Sequence, residues 1–307
     1  MRRIVAVVPV YRPSPLLLDR VAALAPQVAE VIVVDDGSPG SPEIIDLLES
    51  RGTRVLRHPE NRGIAAALNT GIAAALEGGA DVVLTLDQDT LLPEAYVDIC
   101  CAVFEEAETG GLSLGAVAAG AVNGNPMLPH EYVDGIGLMA YAIQSGLMIT
   151  REALEVCGPF DERLVIDLVD TEYCLRMWNA GFGIAAALGA DIDHELGVPK
   201  PARVFGHRRM RDGVERTYDY HAPFRQYYIS RNGIDVALRY ARRNPGWAIG
   251  STRHDLVGFV TGFLAGPARG RHFAAAALGV AHALRRKRGP LSDGWRKRLS
   301  VTDEGGS

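Results

Sequence analysis

Asp81-Val82-Val83-Leu84-Thr85-Leu86-Asp87-Gln88-Asp89 is a short apolar run that ends in two carboxylates one residue apart. A run of this length, bounded by polar residues and rich in valine, reads as a buried strand of a parallel sheet. Upstream, Ile64, Leu68, Ile72 and Leu76 recur every four residues, the apolar stripe of a helix closed by Gly78-Gly79. Downstream, residues 93–108 form another helix. Further out, 4–10, 31–34 and 53–57 read as three more strands. Ser14-Pro15 opens a helix with Ser as N-cap and Pro at the first helical position, and Ser41-Pro42-Glu43 repeats that start. Strands alternating with helices imply a parallel sheet covered on both faces, with ligands at the carboxyl ends of the strands. Asp35-Asp36-Gly37-Ser38 and Asp87-Gln88-Asp89 both fall at such ends. Acidic pairs there are often solvated turns, but this pair can also hold Mg²⁺ or Mn²⁺ against a diphosphate, because both ions take oxygen ligands.

Beyond residue 112 the pattern is mixed. Residues 116–122 and 141–150 read as strands, and a helix runs from near Val169 to Gly181. Residues 195–222 are polar, basic and aperiodic, which predicts a mobile loop, and 223 to about 288 read as helices. The expected organisation is a catalytic domain over 1–222, with halves of about 1–110 and 111–222, and a helical extension with a basic tail over 223–307. The 307 residues suffice for one large domain or two modest ones, and 48% hydrophobic with 22% charged residues excludes wholesale disorder. The net charge of −5 is uneven: residues 1–200 hold 12 Lys/Arg and 29 Asp/Glu, and residues 201–307 hold 20 and 8. A basic arm on an acidic body calls for a negatively charged partner, yet no aromatic basic platform argues for nucleic acid. The four cysteines form no C-x-x-C pair and read as reduced packing residues of a cytoplasmic protein. The first residues lead straight into a strand without a signal-peptide pattern, and 256–265 is about half a bilayer span, so the catalytic part is expected to be soluble.

Several motifs now line up: Val7-Val8-Pro9-Val10-Tyr11, Val33-Val34-Asp35-Asp36-Gly37-Ser38, the stretch from Asn61 to Ile72, Asp87-Gln88-Asp89, Gln144-Ser145-Gly146, and Val169 to Arg176. In order and spacing they resemble the family 2 glycosyltransferases over roughly residues 3–235. Asp87-Gln88-Asp89, residues 166–172, His194-Glu195-Leu196-Gly197 and residues 227–232 look most like the rhamnosyltransferases. The resemblance implies a GT-A fold, a Rossmann-like, mostly parallel mixed sheet flanked by helices, with a helical C-terminal extension. It also implies an inverting enzyme that uses a nucleotide sugar and Mg²⁺ or Mn²⁺.

Carried over residue by residue, the resemblance puts Asp36, with Asp35 beside it, on the pyrimidine base, walled by the backbone from Pro9 to Tyr11. A favoured Asp-Gly-Ser turn is the alternative. Arg62 and Asn69 would line the nucleotide pocket, although Arg62 also suits a solvated helix start. Asp87 would face the ribose, Asp89 would bind the metal, and His194 would complete the coordination or stand exposed in a loop. Ser145 and Gly146 would approach the donor sugar, where glycine permits close contact. Asp170 is the candidate general base, taking the proton of the attacking hydroxyl. It could equally cap the helix that follows, and Asp167 is its rival. The family more often has Glu-Asp where this chain has Val169-Asp170, leaving Asp170 the only acid of that doublet. Glu172 and Arg176 are spaced as a helix-stabilising pair. Arg231 would bind diphosphate or be an ordinary surface arginine.

The resemblance favours dTDP-L-rhamnose as donor and a saccharide or polyprenyl-linked acceptor, with UDP-galactofuranose or UDP-glucose as alternative donors. A non-catalytic nucleotide-sugar-binding protein is the rival of another class. The clusters Arg285-Arg286-Lys287-Arg288 and Arg296-Lys297-Arg298, with Leu256, Phe259, Val260 and Phe263 at helical spacing before them, suit peripheral contact with the anionic inner face of the plasma membrane. The alternative is a solvated end beside helices that pack a homodimer.

Overall fold

The computed structural model describes residues 2–40, 42–194, 200–201, 203–204, 207–208, 210–211, 214–215, 217–218, 221–265 and 268–299. The chain divides into two compact units, Met1–Val165 with Val169–Glu195, and Ile166–Leu168 with Leu196–Ser307. The first unit closes at 195, whereas the sequence suggests a boundary at 222.

The first unit runs β1 (Ile4–Val10), α1 (Leu16–Leu24), β2 (Glu30–Asp35), α2 (Pro42–Ser50), β3 (Arg54–Arg57), α3 (Ile64–Glu77), β4 (Val82–Thr85), β5 (Thr90–Leu91) and α4 (Tyr96–Thr109). It continues with β6 (Leu114–Val122), β7 (Asn125–Pro126), β8 (Glu131–Val133), β9 (Ile136–Leu138), β10 (Leu147–Thr150), α5 (Arg151–Cys157), α6 (Val169–Asn179) and β11 (Gly183–His194). One sheet has the order β3-β2-β1-β4-β10-β6-β11-β9-β8. The strands from β3 to β4 are parallel, β10 runs antiparallel to β4 and β6, and β11 is parallel to β6. The valine-rich strands β1, β2 and β4 are buried because helices cover both their faces, the reason their sequences do not alternate.

Pro9 fixes where the site opens. The Val7 carbonyl accepts from the Leu86 N–H at 3.1 Å, so odd-numbered residues of β1 face β4. Pro9 stands on that side without an N–H to offer, the ladder ends, and Leu86 leads out into Asp87-Gln88-Asp89.

Several elements differ from expectation. Ser14 makes no side-chain cap; Pro15 is the N-cap residue of α1, and the Ser14 carbonyl takes the Leu17 N–H. Ser41 lies outside the described residues. The strand expected over 141–150 is confined to 147–150, and Gln144-Ser145-Gly146 forms the turn before it. Much of 195–222 lies outside the described residues, but its described parts are paired two-residue strands, Lys200–Pro201 with Thr217–Tyr218, Arg203–Val204 with His207–Arg208, and Met210–Arg211 with Val214–Glu215. Glu172 and Arg176 do pair, at 2.9 Å, and the Arg176 guanidinium also donates to the carbonyls of Cys157 and Pro159.

Besides those short strands, the second unit holds α7 (Pro223–Tyr240), α8 (Pro245–Ala265), α9 (Arg269–Leu284) and α10 (Asp293–Leu299). Its described C-terminal segment is anchored at three points, although residues 292–298 between the last two are exposed. Arg288 forks onto the buried Asp235 carboxylate at 2.8 and 3.0 Å, Leu291 donates its N–H to the Tyr228 hydroxyl, and Leu291 and Leu299 are buried. Asp167 is held there too, by a two-pronged ion pair with Arg225 at 3.0 Å. Burial pushes the Cys100 and Cys174 thiols up to about 12, which keeps them protonated and inert.

Candidate metal and nucleotide site

The tail of β11 brings a distant imidazole to two acids of one loop. β5 pairs antiparallel with the end of β11, His194 opposite Thr90 and Asp193 opposite Leu91, which sets an imidazole beside the two carboxylates of the preceding loop. Asn123 fixes that end of β11: its carbonyl oxygen accepts the His194 N–H at 2.9 Å and its amide donates to the His194 carbonyl at 2.7 Å. His194 Nδ1 then lies 3.3 Å from Asp89 Oδ1, and Nε2 lies 3.8 Å from Asp87 Oδ2. Asp87, Asp89 and His194 each offer one ligand atom, all within 4.8 Å of one another.

A second layer holds these three in place. The Asp87 N–H donates to Ser145 Oγ at 3.0 Å, and Gln144 Nε2 donates to Asp87 Oδ1. Ser145 Oγ meets Thr90 Oγ1 at 2.6 Å, and Thr90 Oγ1 meets His194 Nδ1 at 2.9 Å. Gln88, the middle residue of the motif, clamps the Tyr11 backbone, accepting its N–H at 2.9 Å and donating to its carbonyl. Arg20 of α1 donates to the Gln88 carbonyl at 3.3 Å. Sequence reasoning misses Thr90, Gln88 and Arg20, because their bonds are to partners distant in the chain and follow no local spacing.

The group suits a divalent cation. Ligands about 2.1 Å from one ion can stand no more than about 4.2 Å apart, so the three ligand atoms, now within 4.8 Å, need only a small inward movement to share one ion. Two carboxylates with one imidazole make a mixed oxygen–nitrogen set, which suits Mn²⁺ at least as well as Mg²⁺. The Thr90 bond to Nδ1 orients the ring, as partners of metal-binding histidines do. A cleft of about 580 Å³ adjoins the group, bordered by Leu16, Arg20, Asp89, Leu91, Asn123 and His194.

The other expected residues sort differently. Ser145 and Gly146 serve the protein's own geometry: Gly146 has φ +81°, and a Cβ there would stand 2.8 Å from the Tyr96 hydroxyl. Asp36 is buried and bonded to its own chain, accepting from His58 Nδ1 at 2.8 Å, Arg62 N–H at 2.9 Å and Gly63 N–H at 2.8 Å. Asp35, one residue earlier and also buried, has a carboxylate that accepts from the Ser38 N–H at 3.1 Å. Arg62 is half exposed and pairs with Glu162 at 3.2 Å. Asn69 staples α3 to the loop before α6, donating to the Phe160 carbonyl at 3.0 Å and accepting the Phe160 N–H at 2.8 Å. Arg231 is not a surface arginine: it is 1% exposed within the second unit, bonded to the Gly289 carbonyl and Asn232 Oδ1 and lying over the Tyr228 ring.

Asn69→Ala is therefore expected to lower stability by about 1–3 kcal/mol in chemical denaturation, with donor affinity within about threefold of wild type. Unchanged stability with collapsed donor affinity would return Asn69 to the nucleotide pocket.

Asp170 lies in the first turn of α6, half-buried, with Oδ1 accepting the Thr171 N–H at 2.7 Å. It is inside the helix rather than at its cap. Cys174, one turn on, rests its thiol 3.6 Å from the Ala142 carbonyl, so α6 abuts the segment whose Gln144 and Ser145 hold Asp87. Before α6, Val165, Asp167 and Leu168 all have φ between +62° and +69°, a strained approach for residues with a Cβ.

Comparison with known proteins agrees with this architecture. The profile named Glycosyl transferase family 2 matches residues 5–159. A dTDP-rhamnosyl transferase, RfbF of Shigella flexneri, is 28% identical over 193 residues, 57% of this chain and 59% of that protein. The chain thus spans less than two thirds of the length of that curated relative. Among solved structures, Staphylococcus aureus TarS superposes with TM-score 0.53 at 14% identity over 87% of this chain and 45% of that one. TarS 1–349 with UDP-GlcNAc gives 0.51 at 14% identity over 95% of each chain. GalNAc-T7 with UDP, GalNAc and Mn²⁺ gives 0.50 at 14% identity over 63% of this chain and 44% of that one. At such identities these structures speak for the fold alone, which is GT-A. The profile match covers half of the chain and contains the strand end, the Asp87-Gln88-Asp89 loop and the Gln144–Gly146 turn: the chain belongs to glycosyl transferase family 2.

Proposed function

We propose that this glycosyltransferase moves L-rhamnose from dTDP-L-rhamnose, with inversion, onto a saccharide of a glycan or of a lipid-linked intermediate. The observation that carries the chemistry is the convergence of Asp87, Asp89 and His194 within 4.8 Å at the carboxyl end of the sheet. The similarity to a dTDP-rhamnosyl transferase supports the choice of donor.

In this reading Asp87, Asp89 and His194 hold Mn²⁺ or Mg²⁺, which when bound neutralises the charge gathering on the leaving diphosphate. Asp35 accepts from the ring N–H of the base, while Asp36 holds the loop before α3 through its bonds to Arg62 and Gly63. Asp170 takes the proton of the acceptor hydroxyl as that oxygen bonds to the anomeric carbon and the bond to the diphosphate breaks on the opposite face. Thr171 fixes one oxygen of Asp170, and Gln144 and Ser145 fix Asp87, so little reorganisation is left for the reaction itself. The basic second unit brings the enzyme to a membrane surface where a lipid-linked acceptor resides.

The test is a melting panel of nucleotide sugars with and without Mn²⁺, since a ligand of the native state raises the melting temperature with its concentration over Kd. The expected result is a Mn²⁺-dependent rise largest with dTDP-rhamnose. A larger rise with a UDP-sugar would replace the donor, and no rise with any nucleotide would overturn the catalytic reading.

A further inference from the structure

The basic clusters at the C-terminus draw attention first; Arg288 is spent on Asp235, and although the other cluster residues are exposed, the apolar Leu291 and Leu299 beside them are packed inward. The larger unexplained feature is the outer face of α8. Ile249, Leu256, Val257, Val260 and Leu264 fall within about 100° of arc at 100° per residue. All five are exposed, Ile249 to 72% and Leu256 to 59%. The stripe continues onto α9, where Phe273, 59% exposed, meets Phe263 of α8 edge-on at 6.5 Å. From 249 to 264 the stripe is about 22 Å long at 1.5 Å per residue. An exposed apolar surface of this extent marks a contact, not a scatter of surface leucines.

Charge says which contact. Residues 223–284, which leave out the terminal clusters, hold 8 Arg and 2 Asp. Of the acids, Asp235 is ion-paired inside the unit with Arg239 and Arg288, and Asp255 is partly buried. The exposed Arg253 rises from the middle of the apolar stripe, and Arg271 is exposed at the start of α9, two residues before Phe273. Two copies meeting through this face would set these arginines against one another, whereas an anionic bilayer would take the apolar side chains among its acyl chains and the guanidinium groups at its phosphates. No helix among the described residues is long and apolar enough to cross a membrane, so the helix would lie on the surface. We infer that the α8–α9 face, rather than the terminal basic clusters, docks this enzyme onto anionic lipid. This deepens the lipid-linked acceptor reading and rests on it for its purpose, but docking itself needs no acceptor.

The experiment is flotation of the full chain with acceptor-free vesicles of phosphatidylcholine, with or without about one third phosphatidylglycerol, at low and high salt. Wild type should float with the anionic vesicles only, and less at high salt. The double variant Leu256→Asp, Val260→Asp should bind about tenfold more weakly or worse, because both side chains are exposed and their loss costs only the insertion. The triple variant Arg296→Glu, Lys297→Glu, Arg298→Glu should retain most binding. Mn²⁺-dependent melting shifts with donor, measured on the same samples, confirm folding and report on the donor site separately from docking. Failure of wild type to bind anionic vesicles, or undiminished binding by the double variant, would overturn the inference. So would a concentration-dependent dimer that the double variant dissolves, which would give the face to a second copy.

Discussion

Asp170→Asn is expected to lower turnover by about 10²–10⁴-fold, the range in which positioned general bases contribute, while donor affinity changes less than about threefold. The amide keeps the shape of the carboxylate and can still accept from the Thr171 N–H, now at 2.7 Å, so α6 should keep its first turn. What is lost is the capacity to take a proton, which is needed only in the transition state. Rates under saturating donor, paired with donor titration, separate the two effects. Asp167→Asn is the companion measurement. Its carboxylate is gripped by Arg225, so it should alter stability more than turnover. Normal turnover in Asp170→Asn together with collapse in Asp167→Asn would exchange their roles.

Asp89→Ala should weaken Mn²⁺-dependent donor binding by at least about 10–100-fold, the loss produced even by removing partners that merely orient metal ligands. The variant leaves Asp87 and His194 in place, since Asp87 is held by Ser145 and Gln144 and His194 by Asn123 and Thr90. The fold should survive because Asp89 is a partly exposed loop residue, and the end of β11 that its carboxylate meets at His194 is also held by Asn123. Calorimetric titration of nucleoside diphosphate with and without Mn²⁺ reads the effect directly. Unchanged affinity in the presence of metal would remove Asp89 from the site.

The parts of this account legible in the sequence are those written as periodicity. Valine runs without alternation gave away β1, β2 and β4, and the four-residue spacing from Ile64 to Leu76 gave away α3. The ends of those strands located both acidic motifs. β11 was not legible: Gly183–His194 holds four alanines and two glycines, which carry little strand preference, and its ladder with β6 shifts register between Ala187 and Asp191. The geometry that makes His194 more than a loop histidine is therefore long-range, set by a two-residue pairing with Thr90–Leu91. Roles assigned by motif were also blurred at single residues. Asp36 and Asn69 stand where a nucleotide contact was expected, yet each is consumed by the backbone of its own chain. Arg231 shows the same limit: helical spacing cannot distinguish an exposed guanidinium from one buried against Tyr228.

The central claim is that Asp87, Asp89 and His194 together hold one divalent cation for a nucleoside diphosphate. Electron paramagnetic resonance of Mn²⁺ titrated into the full chain with dTDP tests it most directly. The account predicts one bound Mn²⁺ per chain, nitrogen hyperfine coupling from an imidazole, and loss of that coupling in His194→Ala. A spectrum of free Mn²⁺ with dTDP present, or bound Mn²⁺ whose nitrogen coupling survives in His194→Ala, would contradict it.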